Sequence, residues 1–368
     1  MKKLTAALSF MVLFLGMAGG AMAITIMDDA TGGDCSSIGI WDAGTKTCTL
    51  TMDLFNLYPG IEIGSDGITL DGNGHVISGV GAGIGVQIYG RRYVVVKNLD
   101  ITQFEYGMYI VRSSDNRISN NTLTNNNHSG IVLAIGNNNI IERNNSMYHH
   151  AFGIFVASSR GNTFTDNILH GGQWGISLGN SHNNALLRNV VNSTYPINIG
   201  NSSNNTVAEN TISGSLGIEL ASYSTSNKFF NNRIATTYRA ISIWYFANSN
   251  VFYNNNVIQG GWGWLPIYCG TEAGMNTFSL EAPSGGNYWG NYDSPEEGCN
   301  DANNDGFCDA AFVTCVGTDY LPWTKQDGWL TPETLIGGTI TAVEELLTSG
   351  DIATVGTATS LTSTLNNA

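Results

Sequence analysis

Three groups of residues have the types and spacing to do chemistry. In "DANNDGFCD", Asp301, Asn303 and Asp305 stand at alternate positions before Gly306. Alternation turns their oxygens toward one centre, glycine allows the sharp bend, and the Phe307 carbonyl and Asp309 add donors. This is the first half of a calcium loop. The twelfth position is Phe312 rather than Glu, so the loop is not an EF-hand, and the expected role of Ca2+ is to staple the chain end. The alternative is an acidic turn clamped by a Cys299–Cys308 disulfide without an ion. The second group is His128, His150 (or His149) and His170, which recur at similar intervals. Imidazoles that converge take copper or zinc, although no Met or Cys stands out as a partner, and polar surface turns are the plainer reading. The third group is the carboxylates. Glycoside hydrolysis needs two of them about 5–9.5 Å apart. Asp115, Glu142, Asp166, Glu209 and Glu219 fall at different offsets; Glu142 and Glu209 lie near one column, with Arg143 and Arg188 beside it, and read as solvated turn residues.

These groups sit on a repeat. The pattern Asn-x-φ-x-x-Asn, with φ apolar, starts at Asn116, Asn139, Asn162, Asn184, Asn205, Asn227 and Asn250, at steps of 21 to 23 residues. Nine or ten residues before each copy comes Gly107, Gly130, Gly153, Gly175, Pro196, Gly217 or Ala240, in most copies opening a run such as "GIVL" or "GIFV". No segment of the repeat sustains helical apolar spacing; short alternating runs are separated by Asn, Ser and Gly. A fixed period built this way predicts stacked strand–turn coils, an all-β parallel β-helix of about 22-residue turns. About nine or ten coils at roughly 4.8 Å each make a rod about 45 Å long. Within "GIFV", Ile154 and Val156 point inward and Phe155 outward. The asparagines are expected to stack along the turns and satisfy backbone groups.

Stacking coils also lines up aromatic residues. Tyr109 and Phe155 share one outward column, while Tyr106, Phe152, Trp174, Tyr195 and Tyr238 share the adjoining turn. Exposed aromatic rings in a row on a flat sheet can stack on sugar rings. Packing under turns is the alternative.

A solenoid needs covered ends. The expected organisation is an export signal over residues 1–23, an N-terminal cap over 24–60, repeats over 61–261, a C-terminal cap with the Asp-rich loop over 262–329, and a short helical appendage over 330–368. The signal rests on Lys2 and Lys3, the apolar run after them and the closing Ala21-Met22-Ala23. The six cysteines, in an exported chain, read as disulfides. Cys35 with Cys48 is the local pair, while Cys269, Cys299, Cys308 and Cys315 allow three pairings.

Charged residues make up only 12% of the chain against 42% hydrophobic, which excludes a solvated disordered chain. The net charge is −14, and losing Lys2 and Lys3 leaves 13 basic against 29 acidic residues, or −16. Such a surface is a poor partner for nucleic acid or anionic lipid, and for acidic polysaccharide unless calcium bridges the two. No apolar run after the signal is long enough to span a bilayer. Asn-x-Ser/Thr sequons occur at Asn120, Asn127, Asn144, Asn192, Asn201 and Asn204, as an Asn/Ser/Thr-rich repeat produces by chance.

The period, "GITLDGNGHVISG" (Gly67 to Gly79), and the copies "NNTL", "ENTI" and "NNRI" resemble right-handed parallel β-helix proteins of the pectin-lyase-like kind, and more closely the NosD-like or CASH-domain group. "NYWGNYDSPEEGCNDANNDGFCDAAF" followed by "GTDYLPW" resembles the closing segment of such exported proteins. The resemblance covers residues 48–325. It implies the fold strongly and the function weakly, because this fold hosts lyases, hydrolases, adhesins and passive scaffolds. Hydrolases of the fold usually carry paired aspartates with a Gly-His-Gly and a basic motif, and this sequence does not. Asp71 and His75 of "DGNGH" belong to the first coil, where the motif is commonly structural. The NosD-like group is associated with copper enzyme maturation, which implies a copper-handling accessory as one alternative. The expectation is a secreted or periplasmic β-helix that binds a polysaccharide or cell-surface glycan, or serves as a surface scaffold, without turnover. A polysaccharide lyase or glycoside hydrolase is the other alternative.

Overall fold

The computed structural model describes residues 23–259 and 266–330. The expected export signal, apart from Ala23, and the expected helical appendage, apart from Leu330, lie outside the described residues. No helix among the described residues is long and apolar enough to cross a membrane.

Each coil contributes three short strands. In one coil they are Phe152–Ala157, Thr163–Thr165 and Ile168–His170, and in the next Trp174–Gly179, Ala185–Leu187 and Val190–Ser193. Like strands pair in parallel, with Ile154 opposite Ile176, Phe164 opposite Leu186 and Leu169 opposite Val191. The second strands belong to an 11-stranded sheet. The first and third strands join one 20-stranded sheet, because Thr211–Ala221 and Arg233–Ile243 run from one face into the next. This is the right-handed parallel β-helix expected.

Alternation fills the interior. Ile154, Val156, Phe164 and Leu169 are buried while Phe155 faces outward and is half-buried. Inside, Phe229, Phe252 and Phe278 stack with ring centroids 4.4 and 5.2 Å apart. The small residue that opens each first strand is required by crowding. A Cβ on Gly175 would lie 2.4 Å from the Pro196 carbonyl oxygen of the next coil.

At two corners of each coil the chain bends and its N–H groups lose their usual partners. The asparagines replace them. The Asn167 side chain donates to Oδ1 of Asn189 (3.0 Å) and back to the Ile141 carbonyl (2.8 Å), while the Asn167 backbone N–H donates to the same Asn189 oxygen (3.0 Å). The pattern recurs in both columns, and the side chains are fully buried. One column passes through Asn255 to Asn287 and ends on Asp319, whose Oδ2 accepts the Asn287 backbone N–H at 2.7 Å and Trp289 Nε1 at 2.9 Å. Asn144, a sequon residue, belongs to these columns and is 1% exposed.

The sheet edges are closed. Gly39–Asp42 pairs antiparallel with Thr47–Leu50, and Cys35 is bonded to Cys48. At the other end Cys269 is bonded to Cys315 and Cys299 to Cys308. Three disulfides fit an oxidising compartment, periplasmic or extracellular.

Candidate functional site

The first-strand face carries the aromatic row, and register decides its membership. Tyr106 is opposite Ser129, Ser129 opposite Phe152, Phe152 opposite Trp174, and Trp174 opposite Tyr195. Where Ser129 interrupts the row, the His128 ring fills in, 5.0 Å from Tyr106 and 5.9 Å from Phe152, with Nδ1 held by Ser129 Oγ at 2.8 Å. Trp174 stacks on Tyr195 at 4.2 Å, and Phe152 on Trp174 at 6.3 Å. Tyr109 and Phe155 lean on this ribbon from the next outward column, 5.4 Å from Tyr106 and 4.8 Å from Phe152.

Two features differ from the sequence reading. The rings are half-buried rather than exposed, because each covers part of its neighbour's face. In addition, Arg239 rather than Tyr238 comes into register opposite Leu216, since the strand pair shifts between Gly214 and Leu216. Arg239 lies over the rings of Tyr268 (3.5 Å) and Tyr238 (4.5 Å).

Beside the ribbon runs a polar column. Ser177 Oγ donates to Asn198 Oδ1 at 3.2 Å, and Asn198 Nδ2 to Glu219 Oε2 at 3.3 Å. Loss of solvent pushes the Glu219 carboxyl above its ordinary range, against the Asn198 hydrogen bond. Burial, with Glu105 nearby, pushes the Tyr106 hydroxyl up to about 12, so it remains a donor.

Four other outward carboxylates face partners on neighbouring coils. Glu142 pairs with Arg117 at 2.5 Å, Asp166 with Arg188 at 2.9 Å, and Asp71 with Lys97 at 3.1 Å, while Asp115 accepts from Asn138 at 3.3 Å. Glu142 is 8% exposed, so it is not a solvated turn residue. Asn120, Arg143, Asp166, Arg188, Glu209 and Asn231 share one left-handed turn position (φ 51–60°), giving alternating charge at its centre.

The histidines occupy different places. His128 belongs to the ribbon, His150 lies on an exposed turn, and His170 ends a third strand. His149 is buried, its Nδ1 accepting the Asn126 N–H at 3.3 Å as an asparagine oxygen does elsewhere. The sequence reading missed Met147, which stands opposite His170 on the neighbouring strand; only exact register reveals the pair. All six cysteines are in disulfides. Among the described residues no group of three or more His, Cys, Asp or Glu is placed to hold an ion.

The Asp301–Asp309 turn closes on itself. Asp301 accepts the N–H groups of Asp305 and Gly306 at 3.0 Å, Asp305 accepts that of Phe307 at 2.9 Å, and Asp309 that of Ala302 at 3.0 Å. Asn303 Nδ2 donates to Asp305 at 3.0 Å.

Comparison with known proteins bears on kinship. No curated protein matches the sequence. Among solved structures the chain is similar to the periplasmic alginate epimerase AlgG (17% identity, TM-score 0.40, 61% of this chain and 59% of that one). It is also similar to the Azotobacter vinelandii mannuronan C-5 epimerase AlgE6 A-module (11%, TM-score 0.48, 69% and 86%) and to the alginate lyase from Paenibacillus sp. str. FPU-7 (13%, TM-score 0.35, 62% and 99%). The chain thus spans 59% of the length of AlgG, and none of these likenesses carries a residue's role across. A family model described as "Periplasmic copper-binding protein (NosD)" matches residues 66–294. That match takes in most of the coils and more than half of the sequence, and the chain belongs to the NosD family.

Proposed function

We propose that this protein binds a carbohydrate chain along its first-strand face, in the periplasm or outside the cell, without turning it over. The observation that carries the reading is the aromatic ribbon from Tyr106 to Tyr195, five coils long and half-open to solvent, beside the Ser177–Asn198–Glu219 column. Stacked rings form a rigid apolar strip, and the polar column supplies donors and acceptors for hydroxyl groups. Because Trp174 and Tyr195 cover one another, a sugar would meet their edges and the tilted rings of Tyr109 and Phe155. Binding without turnover is supported by Asp71, Glu142 and Asp166, each already paired with a cation.

Glu219 favours a second reading, turnover on the same face, since a carboxyl held above its usual range suits a general acid. Incubating the exported protein with a polysaccharide panel, with calcium supplied, tests both. Retention of a polysaccharide with no new oligosaccharides by mass spectrometry is expected. Shortened or unsaturated products would replace binding with catalysis and make Glu219 the first residue to mutate.

A further inference from the structure

Elsewhere on the rod successive turns break the pattern in the same way. Between its first and second strands a coil usually turns through a fixed number of residues. Gly200 pairs with Ala221 and Ser203 with Thr225, so the later turn holds one residue more. Leu220 pairs with Ile243 and Thr225 with Asn248, so the following coil keeps the longer turn. The added residues are Tyr223 and Phe246.

Their backbone is unusual. Asn180, Asn201, Ser222 and Tyr245 share a left-handed position with φ of 41–50°, and Tyr223 and Phe246, each at φ 62°, add a second such residue directly after it. Bulky side chains there are strained. Both residues are pinned by backbone hydrogen bonds, Tyr223 N to the Tyr245 carbonyl (2.9 Å) and Phe246 N to that of Glu272 (2.7 Å). The rings stack at 5.0 Å and 17°, yet remain 61% and 40% exposed, with Tyr245 beside them at 48%. The coils before Tyr223 close without this insertion, whereas the coil after Phe246 keeps it, with Glu272 at the same position (φ 58°).

The surroundings indicate what would cover the pair. A row of exposed side chains leads up to it along the same corner, with Asn180 Nδ2 donating to Ser158 Oγ (3.3 Å) and Asn201 Nδ2 to Asn180 Oδ1 (3.4 Å). The turns "GNSSNN", "ASYSTSN" and "WYFANSN" contain no charged residue, and Glu272 follows on the next coil. Amides, hydroxyls and one carboxylate, with Arg160 only at the far end of the row and Lys228 just past the Tyr223 turn, suit a nucleic acid or an acidic glycan poorly. They suit an uncharged sugar chain, whose hydroxyls meet the amide row and whose ring lies on an aromatic face. We infer that the Tyr223–Phe246 pair is a platform for one ring of an uncharged polysaccharide lying along this corner. The site shares a ligand class with the proposed function but is separate from the Tyr106–Tyr195 ribbon.

Affinity electrophoresis of the exported chain through gels containing a soluble β-glucan, a xylan or a galactomannan, with polygalacturonate as the acidic control, tests the inference. At least one uncharged gel should retard the protein, and Tyr223→Gly with Phe246→Gly should weaken that about tenfold. Melting temperature should hold or rise, because glycine adopts positive φ freely. Retardation lost with Trp174→Ala but kept in the glycine double variant would overturn the platform and leave the ribbon reading standing. The reverse would overturn the ribbon alone. Retardation in no uncharged gel would overturn the platform, as would a dimer that the double variant dissolves, which would make a second copy of the chain the occupant.

Discussion

The buried asparagine columns and the outward aromatic ribbon are both built by repetition, one residue per coil, yet they behave differently. Each asparagine column runs from coil to coil through identical residues, whereas the ribbon passes from Tyr to His to Phe to Trp to Tyr over five coils. Burial accounts for the contrast. A corner amide excluded from water must find a partner of fixed length and geometry, and asparagine supplies both a donor and an acceptor. An outward residue faces no such demand, so its identity is free to serve something other than the fold.

The most severe way to break the comparison is Asn167→Ala. It removes the partner of the buried Asn144 N–H and the side-chain bond to the Ile141 carbonyl, and leaves the Asn144 side-chain amide only its bond to the Ile118 carbonyl. Loss of about 3–5 kcal/mol in denaturant unfolding is expected, with fold and ribbon otherwise retained.

Next in size are the two titratable residues inside the ladders. Burial pushes Asp319 up to about 7 and His149 down to about 4. Asp319 holds its proton more tightly folded than unfolded, so its contribution is full below about pH 4 and is lost as pH rises toward 7. His149 resists protonation when folded, so its contribution is full above about pH 6.5 and is lost as pH falls toward 4. The two oppose one another across the same window. Asp319→Asn should raise the melting temperature at pH 7 but not at pH 4, and His149→Asn should raise it at pH 4.5 but not at pH 7. A parallel pH curve for either variant would contradict the assignment.

Smaller again is Trp174→Ala. Polysaccharide binding should weaken about tenfold, while stability falls by about 1–2 kcal/mol from lost stacking on Phe152 and Tyr195. Equal binding by variant and parent would remove the ribbon from the site. The mildest change concerns the Asp301–Asp309 turn, read from its spacing as a calcium staple. Adding calcium to protein stripped with EDTA should raise the melting temperature by a few degrees, about 1 kcal/mol for a small domain. An unchanged melting temperature would leave the turn held by its own N–H groups and Cys299–Cys308.

Much of the fold was legible because buried columns are uniform. The Asn pattern, the inward Ile154 and Val156, and the outward Phe155 all follow from period and alternation. Outward features were harder because they depend on exact register across turns of varying length. Tyr238 looked like a member of the aromatic row until the irregularity near Gly214 brought Arg239 into line. Met147 is 23 residues from His170 in sequence, and only strand pairing makes them neighbours. Ring-on-ring stacking, which half-buries the ribbon, has no signature in the spacing of single residues. The pairing of Cys269 with Cys315 required the path of the final coil, where the period is lost.

The asparagine columns also have a direction. From asparagine to asparagine each side chain gives an N–H to the oxygen of the coil after it and receives from the coil before, so this side-chain relay points one way along the rod. A rod with a giving end and a receiving end can join end to end with its own copies and grow into filaments. Asp319 stops this. A carboxylate accepts the last N–H groups, and when ionised it has none of its own to pass on.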